Sequence, residues 1–213
     1  MTKSTWAVIV VVVLMIGVGL AVVYRAPLSQ LFSPGQDATP AHETPPITQA
    51  QTYSTSTYAV QYPSEYLLNE EYAYDQFGPK KLIHGISLTI PANVATGTNL
   101  SADTRISVEQ LPRAKKCTGD IFIPDNVAAR TITEGGTDYS LATTSGAAAG
   151  NRYEETVFAL ATSSPCTAVR YFVHYAAIEN FPQGAVREFD RTALLNGFDT
   201  IRRTLVIKGI AAQ

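Results

Sequence analysis

An uncharged apolar run near the N-terminus constrains this chain more than any other feature of its sequence. Residues 6–24 contain no charge, no proline and no side-chain amide over 19 positions. A helix of that length is about 28 Å long, which matches the hydrocarbon core of a bilayer, about 30 Å thick. The run therefore predicts one transmembrane helix over residues 6–24, preceded by a cytoplasmic tip at residues 1–5.

A cleaved secretory signal is the alternative interpretation of the same run. Lys3 supplies the basic flank of a signal peptide, and the small residues at 19–21 resemble a cleavage site. The apolar residues continue past that point to Tyr24, so an uncleaved anchor is favoured. Lys3 also places the N-terminus in the cytoplasm and the remaining chain outside, by the positive-inside rule. We therefore expect a single-pass protein of the cell membrane, with the lipid bilayer as one partner.

Composition divides the rest of the chain into three parts. Residues 25–52 are rich in Pro, Thr, Ser and Gln and have no apolar period, which predicts a flexible linker. Residues 53–208 form the segment long enough to bury a core, and their length suits one extracytoplasmic domain. Residues 209–213 are a short tail.

Short alternating runs that end at Pro or Ser indicate strands throughout this domain. The clearest hairpin pairs residues 152–160 with residues 167–176 across a Thr-Ser-Ser-Pro turn. A C-terminal helix is indicated by apolar residues at spacings of four, three and four, namely Leu194, Phe198, Ile201 and Leu205. A second helix is expected near residues 124–129. These elements predict an α+β domain, with a mostly antiparallel sheet closed by the C-terminal helix.

Two cysteines support export to an oxidising compartment. Cys117 and Cys166 are the full cysteine complement of the chain, and an even pair in an exported domain most simply forms one disulfide. Closing a loop of this length stabilises the fold by at most about 4 kcal/mol in the chain-entropy model. Two separate buried thiols are the alternative. A metal site is not expected, since neither cysteine has a partner at zinc-like spacing.

The predicted hairpin carries the densest polar cluster of the sequence. A register that placed Glu154 near His174, with Arg170 close by, would form a carboxylate–imidazole pair able to bind a polar ligand. Arg152, Glu154, Arg170 and His174 are therefore the candidate ligand-binding residues. Cross-strand charge pairing on a solvated sheet face is the alternative.

Motifs at the two ends of the domain resemble the PsbP-like fold, named after an extrinsic subunit of photosystem II. Residues 58–64 form an aromatic strand that ends in Tyr-Pro-Ser, and residues 198–201 read Phe-Asp-Thr-Ile. The resemblance implies an α+β fold and an accessory or binding role, since members commonly serve as non-enzymatic subunits. It implies no functional residue, because both motifs shape the fold.

No catalytic, cofactor or metal motif stands out in the sequence. The layout of anchor, linker and exported β-rich domain is similar to that of the sortases, whose Cys, His and Arg would correspond here to Cys166, His84 and Arg170. The residues around Cys166 depart from that pattern. A net charge of −2 argues against nucleic acid as a partner. We expect a noncatalytic binding or assembly-accessory domain, whose partner is another envelope protein or a cell-wall component. An exported enzyme of unrecognised type is the alternative.

Overall fold

The computed structural model describes residues 49–208, and antiparallel strands dominate this part of the chain. Alternation of apolar and polar side chains produces most of these strands, since each buries one set of side chains. The strands are β1 Ala50–Ser54, β2 Tyr58–Pro63, β3 Leu67–Tyr74, β4 Ile83–Thr89, β5 Arg105–Leu111, β6 Arg130–Glu134, β7 Thr137–Ala148, β8 Asn151–Leu160, β9 Cys166–Ala176 and β10 Val206–Ile207.

The strands form a large and a small sheet. The large sheet has seven strands in the order β3-β4-β5-β9-β8-β7-β6, and every neighbouring pair is antiparallel. The small sheet has the order β1-β2-β10. The predicted hairpin is confirmed as β8 and β9, whose connection keeps the two strands antiparallel and adjacent.

Helices are short in the described part of the chain. Helix α1 covers Ala92–Ala95 and α2 covers Arg191–Arg202. Two 3-10 turns lie at Gly119–Phe122 and Ile178–Asn180. The side chain of Asp190 caps α2 by accepting a hydrogen bond from the Ala193 N–H.

The inner face of the large sheet holds the main core. Its strands present alternate apolar side chains to one layer formed by β2 and α2, and these side chains make one continuous buried cluster. The helical face is buried at Leu194, Phe198 and Ile201, as the spacing predicts, whereas Leu205 lies beyond the end of the helix.

The outer face of the same sheet carries a second, smaller core. The segment 112–129 crosses this face and buries Phe122 and Ile123 against the small residues of β8 and β9. A disulfide between Cys117 and Cys166 fastens the segment to the first residue of β9, as predicted. The central strands are thus buried on both faces at the disulfide end of the sheet, while the other end of the outer face is open.

The predicted α+β class is wrong. Within residues 49–208 the helices have 4 and 12 residues, and strands provide most of the buried side chains. No helix forms near residues 124–129, because the disulfide and the contacts of Phe122 hold this segment as an irregular cover over the outer face. Helix α2 does not close the domain either, since β10 follows it and pairs with β2.

The membrane prediction concerns a part of the chain that is not described. Among residues 49–208 no helix is long and apolar enough to cross a bilayer. The predicted transmembrane helix at 6–24, the tip at 1–5 and the tail at 209–213 lie outside the described residues, as does most of the predicted linker at 25–52. Strand β1 begins at Ala50, within the segment predicted as linker.

Candidate functional site on the outer sheet face

The four predicted ligand-binding residues are divided between the two faces of the large sheet. In the β8–β9 register, Tyr153 lies opposite His174 and Glu154 lies opposite Val173. Residues directly opposite each other in an antiparallel pair share a face. Glu154 and Arg152 therefore lie on the inner side, and His174 and Arg170 lie on the outer side. The proposed Glu154–His174 pair does not form.

The length of the turn between β8 and β9 decides this division. Paired residue numbers in this hairpin always combine an odd with an even position, as in Ala159 with Ala168. A turn shorter or longer by one residue would reverse the faces of one strand relative to the other. The alternation within each strand follows from the sequence, but the register between the strands depends on the turn.

Glu154 fastens the hairpin to α2. Its carboxylate accepts hydrogen bonds of 2.6 and 2.8 Å from Arg191 and one of 2.8 Å from the hydroxyl of Tyr175. The bonds from Arg191 lower the pKa of Glu154, against the effect of partial burial. Arg152, by contrast, is exposed. The Glu154–Arg191 pair therefore has a structural role, since it joins β8 to α2.

Arg170 is completely buried and is occupied by the protein itself. Its guanidinium binds both carboxylate oxygens of Glu109 at 2.8 Å and donates to the Phe122 carbonyl oxygen at 2.7 Å. It also pairs with Glu155 and lies 3.6 Å above the ring of Tyr74. Burial alone would lower the pKa of Arg170, but Glu109 and Glu155 raise it above its usual value. Arg170 is therefore a structural centre beneath the outer face, with no atom free to contact a ligand.

His174 lies nearer to the open end of the outer face. Its Nδ1 is 2.8 Å from Asp103 Oδ1, and its ring stacks on Tyr153 with centroids 4.4 Å apart. The Nε2 atom is buried and has no hydrogen-bond partner among the described residues. His174 supports Tyr153, which in turn lines a pocket.

A pocket of about 230 Å³ opens between β3, β5, β8 and β9 at this end. Its walls combine four aromatic rings with four polar side chains and one small residue. These residues are Tyr72, Tyr74, Tyr153, Phe172, Asp75, Gln76, Arg105, Glu155 and Ala73. The pocket, named here the outer-face pocket, joins apolar walls with a few convergent polar groups, which is typical of ligand sites.

Two polar atoms of the outer-face pocket make no hydrogen bond of ordinary geometry among the described residues, although their side chains are neighbours. They are the hydroxyl of Tyr72, whose side chain is buried, and Nε of Arg105. The guanidinium of Arg105 lies 4.1 Å from the centroid of Phe172, and its Nη1 donates to the Asp103 carbonyl oxygen at 3.0 Å. Burial raises the pKa of Tyr72 although the neighbouring Arg105 guanidinium, which interacts with this hydroxyl, lowers it, so the hydroxyl stays protonated and can donate. Buried donors without a hydrogen bond are rare in proteins, and each calls for an explanation such as a bound water, ion or ligand.

Sequence reasoning missed most of this pocket. Tyr72 and Tyr74 lie in a tyrosine-rich segment of the sequence, and Arg105 and Glu109 lie in a run that alternates and so predicts a strand without predicting a site. A signal was available in that strand, because Arg105, Ser107 and Glu109 recur at every second position and so share a face. What that face contacts depends on neighbours more than 60 residues away, such as Arg170.

A larger depression of about 1060 Å³ lies beside the segment 111–121. Its lining comes from this one segment and combines apolar residues with the exposed cations Arg113, Lys115 and Lys116. None of its lining residues carries a buried polar atom without a partner. The depression is wide and shallow, and the outer-face pocket is the better built of the two sites.

The disulfide bears on the comparison with the sortases, which are cysteine transpeptidases. Cys166, the candidate nucleophile, is bonded to Cys117, so it presents no thiolate in this state.

Within residues 49–208 there is no group of three or more His, Cys, Asp or Glu side chains arranged to hold a metal ion.

Comparisons with known proteins add no assignment. No protein-family model matches this chain, and no curated protein matches its sequence.

Proposed function

We propose that this protein is an extracytoplasmic, noncatalytic binding protein whose recognition site is the outer-face pocket. The observation that carries this proposal is the combination of aromatic walls with two neighbouring buried atoms, Tyr72 Oη and Arg105 Nε, that make no hydrogen bond of ordinary geometry in the described structure. A binding group that offers an acceptor would satisfy those donors and cover the rings. The disulfide suits an oxidising compartment, and the expected partner is a cell-wall component or another envelope protein at the membrane.

Binding is favoured over catalysis because Glu109 and Glu155, the carboxylates beneath and beside the pocket, are both paired with Arg170. Glu155, which shares the wall with the exposed Asp75, interacts with Arg170 and accepts a hydrogen bond of 3.0 Å from Tyr74. A general base needs a carboxylate that is free to take a proton from a substrate. Glu155 is instead held by the guanidinium of Arg170, and this pair fixes the position of the pocket wall.

The test uses saturation-transfer NMR on the full-length protein with a mixture of small polar fragments. The mixture contains methyl glycosides, free amino acids, short-chain carboxylic acids and alkylamines. Fragments that bind in the outer-face pocket are expected to lose their signal with Tyr153→Ala, which removes one wall. Tyr53→Ala is the matched control, since Tyr53 is also half-buried but lies in the small sheet. If every fragment gives the same signal with Tyr153→Ala as with the unchanged protein, the proposal is wrong.

A further inference from the structure

We infer that the outer-face pocket takes a single uncharged sugar ring of a larger glycan. This inference rests on the proposed binding function and specifies the class of ligand. It depends on the size of the pocket, the charges around it, its unpartnered donors and an open path beside Tyr153.

The size of the pocket limits the occupant to one ring. Pockets that enclose drug-sized ligands measure about 300–1,000 Å³. The outer-face pocket, at about 230 Å³, is smaller and suits one six-membered ring with its substituents. A peptide segment or a nucleotide would exceed it.

The charges around the pocket disfavour an ionic ligand of either sign. Arg105 and Arg170 bring two positive charges, whereas Asp75, Glu155 and Glu109 bring three negative charges. A free anion would meet a net negative surrounding. This surrounding attracts a cation, but the guanidinium of Arg105 already lies 4.1 Å from the centroid of Phe172 and would repel a second cation there. A neutral group avoids both costs.

The chemistry of the walls suits hydroxyl groups. A hydroxyl both donates and accepts, so it can accept from Tyr72 or Arg105 and donate to Asp75 or Gln76. The C–H faces of a sugar ring are apolar and pack against aromatic rings, which here include Tyr153 and Phe172. The pocket thus offers both kinds of contact that one sugar ring makes.

An open path beside Tyr153 allows the ring to belong to a longer chain. In the β7–β8 register Gly146 lies opposite Tyr153, on the same outer face. A Cβ atom at Gly146 would meet no other atom within 4 Å, so space remains open there. Gly146 does not line the pocket, so the next sugar of a glycan would reach this open space by passing over the ring of Tyr153.

The experiment combines a glycan array with saturation-transfer NMR on the full-length protein. The array probes are immobilised neutral and anionic oligosaccharides, and the NMR probes are methyl hexopyranosides and the methyl glycoside of N-acetylglucosamine. Unchanged protein is expected to bind neutral glycans. Tyr72→Phe removes one donor and is expected to weaken that binding by about 2- to 10-fold, the effect of one hydrogen bond.

Gly146→Phe tests the open path. The new side chain is expected to abolish binding of oligosaccharides while single methyl glycosides keep most of theirs. Gly146→Ala is the matched control and should leave both unchanged, since its methyl group fits the open space.

The outcomes separate this inference from the proposed function. Tyr153-dependent binding of amino acids, acids or amines, without binding of sugars, would overturn the ligand class and leave the binding function intact. If Tyr72→Phe and Gly146→Phe leave sugar binding unchanged, the sugar binds outside the outer-face pocket and the inference is overturned. No Tyr153-dependent binding of any probe would overturn both proposals.

Discussion

Arg170 keeps a full positive charge inside the protein, at a position with no solvent exposure. A buried charge is tolerated when it is paired and hydrogen-bonded, and Arg170 achieves this through Glu109, Glu155 and the Phe122 carbonyl oxygen. Ser107 donates to Glu109 at 2.7 Å and completes the network. The network therefore links β5, β8, β9 and the segment that covers the outer face.

Removing the cation should destabilise the domain strongly. With Arg170→Met, Glu109 stays buried without its partner, and the expected loss is about 3–5 kcal/mol in the free energy of unfolding. Urea unfolding followed by circular dichroism measures it. The double variant Glu109→Gln/Arg170→Met removes both charges and should be more stable than Arg170→Met alone. Equal midpoints for Arg170→Met and the unchanged protein would contradict this account.

Tyr72 should behave in the opposite way. Its buried hydroxyl has the Arg105 guanidinium as a neighbour but makes no hydrogen bond of ordinary geometry among the described residues, and such a group costs free energy in the unliganded protein. Tyr72→Phe is therefore expected to raise the free energy of unfolding by about 1 kcal/mol. Tyr74→Phe is the matched control, since the hydroxyl of Tyr74 donates to Glu155 and its loss should destabilise the domain. A destabilised Tyr72→Phe would mean that this hydroxyl is satisfied.

At the scale of elements, α2 is fastened to the large sheet by ion pairs at both of its ends. Arg191 at its start binds Glu154 of β8. Arg202 at its end is buried and donates to Glu134 of β6 at 2.6 Å and to the hydroxyl of Tyr171 at 2.8 Å. The apolar face of the helix supplies most of the burial, and these pairs fix its direction on the sheet.

The pair at the start of α2 should contribute to acid sensitivity. The folded pKa of Glu154 is depressed below its ordinary value of 4.5, so the pair stabilises the fold above that pH. This contribution is lost as the pH falls through the folded pKa. Glu154→Gln should therefore cost about 1 kcal/mol or less at pH 7, because the pair is partly exposed, and should lower stability little at pH 3.

Thermal unfolding between pH 3 and pH 7 measures the difference. Glu154→Gln is expected to converge with the unchanged protein at the acid end. Other carboxylates such as Asp199 contribute the remaining acid sensitivity. Burial would raise the pKa of Asp199, but the hydrogen bonds from Tyr171 and Arg202 lower it below its ordinary value. A constant gap between the two proteins over this range would show that Glu154 carries no such linkage.

The segment 112–129 depends on the disulfide for its place on the outer face. Cys117 and Cys166 are 49 positions apart, and the bond closes the long connection between β5 and β9. The variant Cys117→Ser/Cys166→Ser should lose up to about 4 kcal/mol in the free energy of unfolding. Guanidinium unfolding with and without dithiothreitol tests this, and dithiothreitol should affect the unchanged protein alone. An unchanged midpoint on reduction would contradict it.

At the scale of the whole described domain, the central strands have neighbours on every side. Strand β9 is paired with β5 and β8, and both of its faces are buried near the disulfide. Strands β3 and β6 are the edges of the large sheet, and β1 is an edge of the small one. Local opening is easiest where few buried contacts hold a strand.

Hydrogen exchange should follow this arrangement. Amides of β9 and β8 are expected to exchange slowest, near the limit set by global unfolding, and those of β1 and β6 fastest among the strands. Mass-spectrometric hydrogen exchange on peptides from each strand measures the order. Protection of β1 equal to that of β9 would show that the small sheet is not the weaker layer.

Short-range patterns made several features of this fold predictable. The β8–β9 hairpin, the alternation of its faces and the helical face at Leu194, Phe198 and Ile201 all depend on residues close in sequence. The cysteine pair was predictable from the number of cysteines and the compartment expected from the sequence. Membrane attachment through residues 6–24 stays a prediction from the sequence.

The class and the site depended on contacts between distant segments. Helix content was overestimated because the segment near residues 124–129 takes its form from the disulfide and the outer face, which no local propensity encodes. The four predicted ligand-binding residues lie on two different faces of the sheet because the length of the turn, and not the side-chain pattern, sets the register of β8 against β9.

The sequence by itself determined which side chains share a face of each strand, since alternation is a property of one extended chain. Only the tertiary structure decided which strands lie side by side. That arrangement buried Arg170 against Glu109 and brought Tyr72, Arg105 and Tyr153 around one pocket. Strand order and register arise from the packing of the whole domain, so the pocket exists in the folded structure and in no single segment.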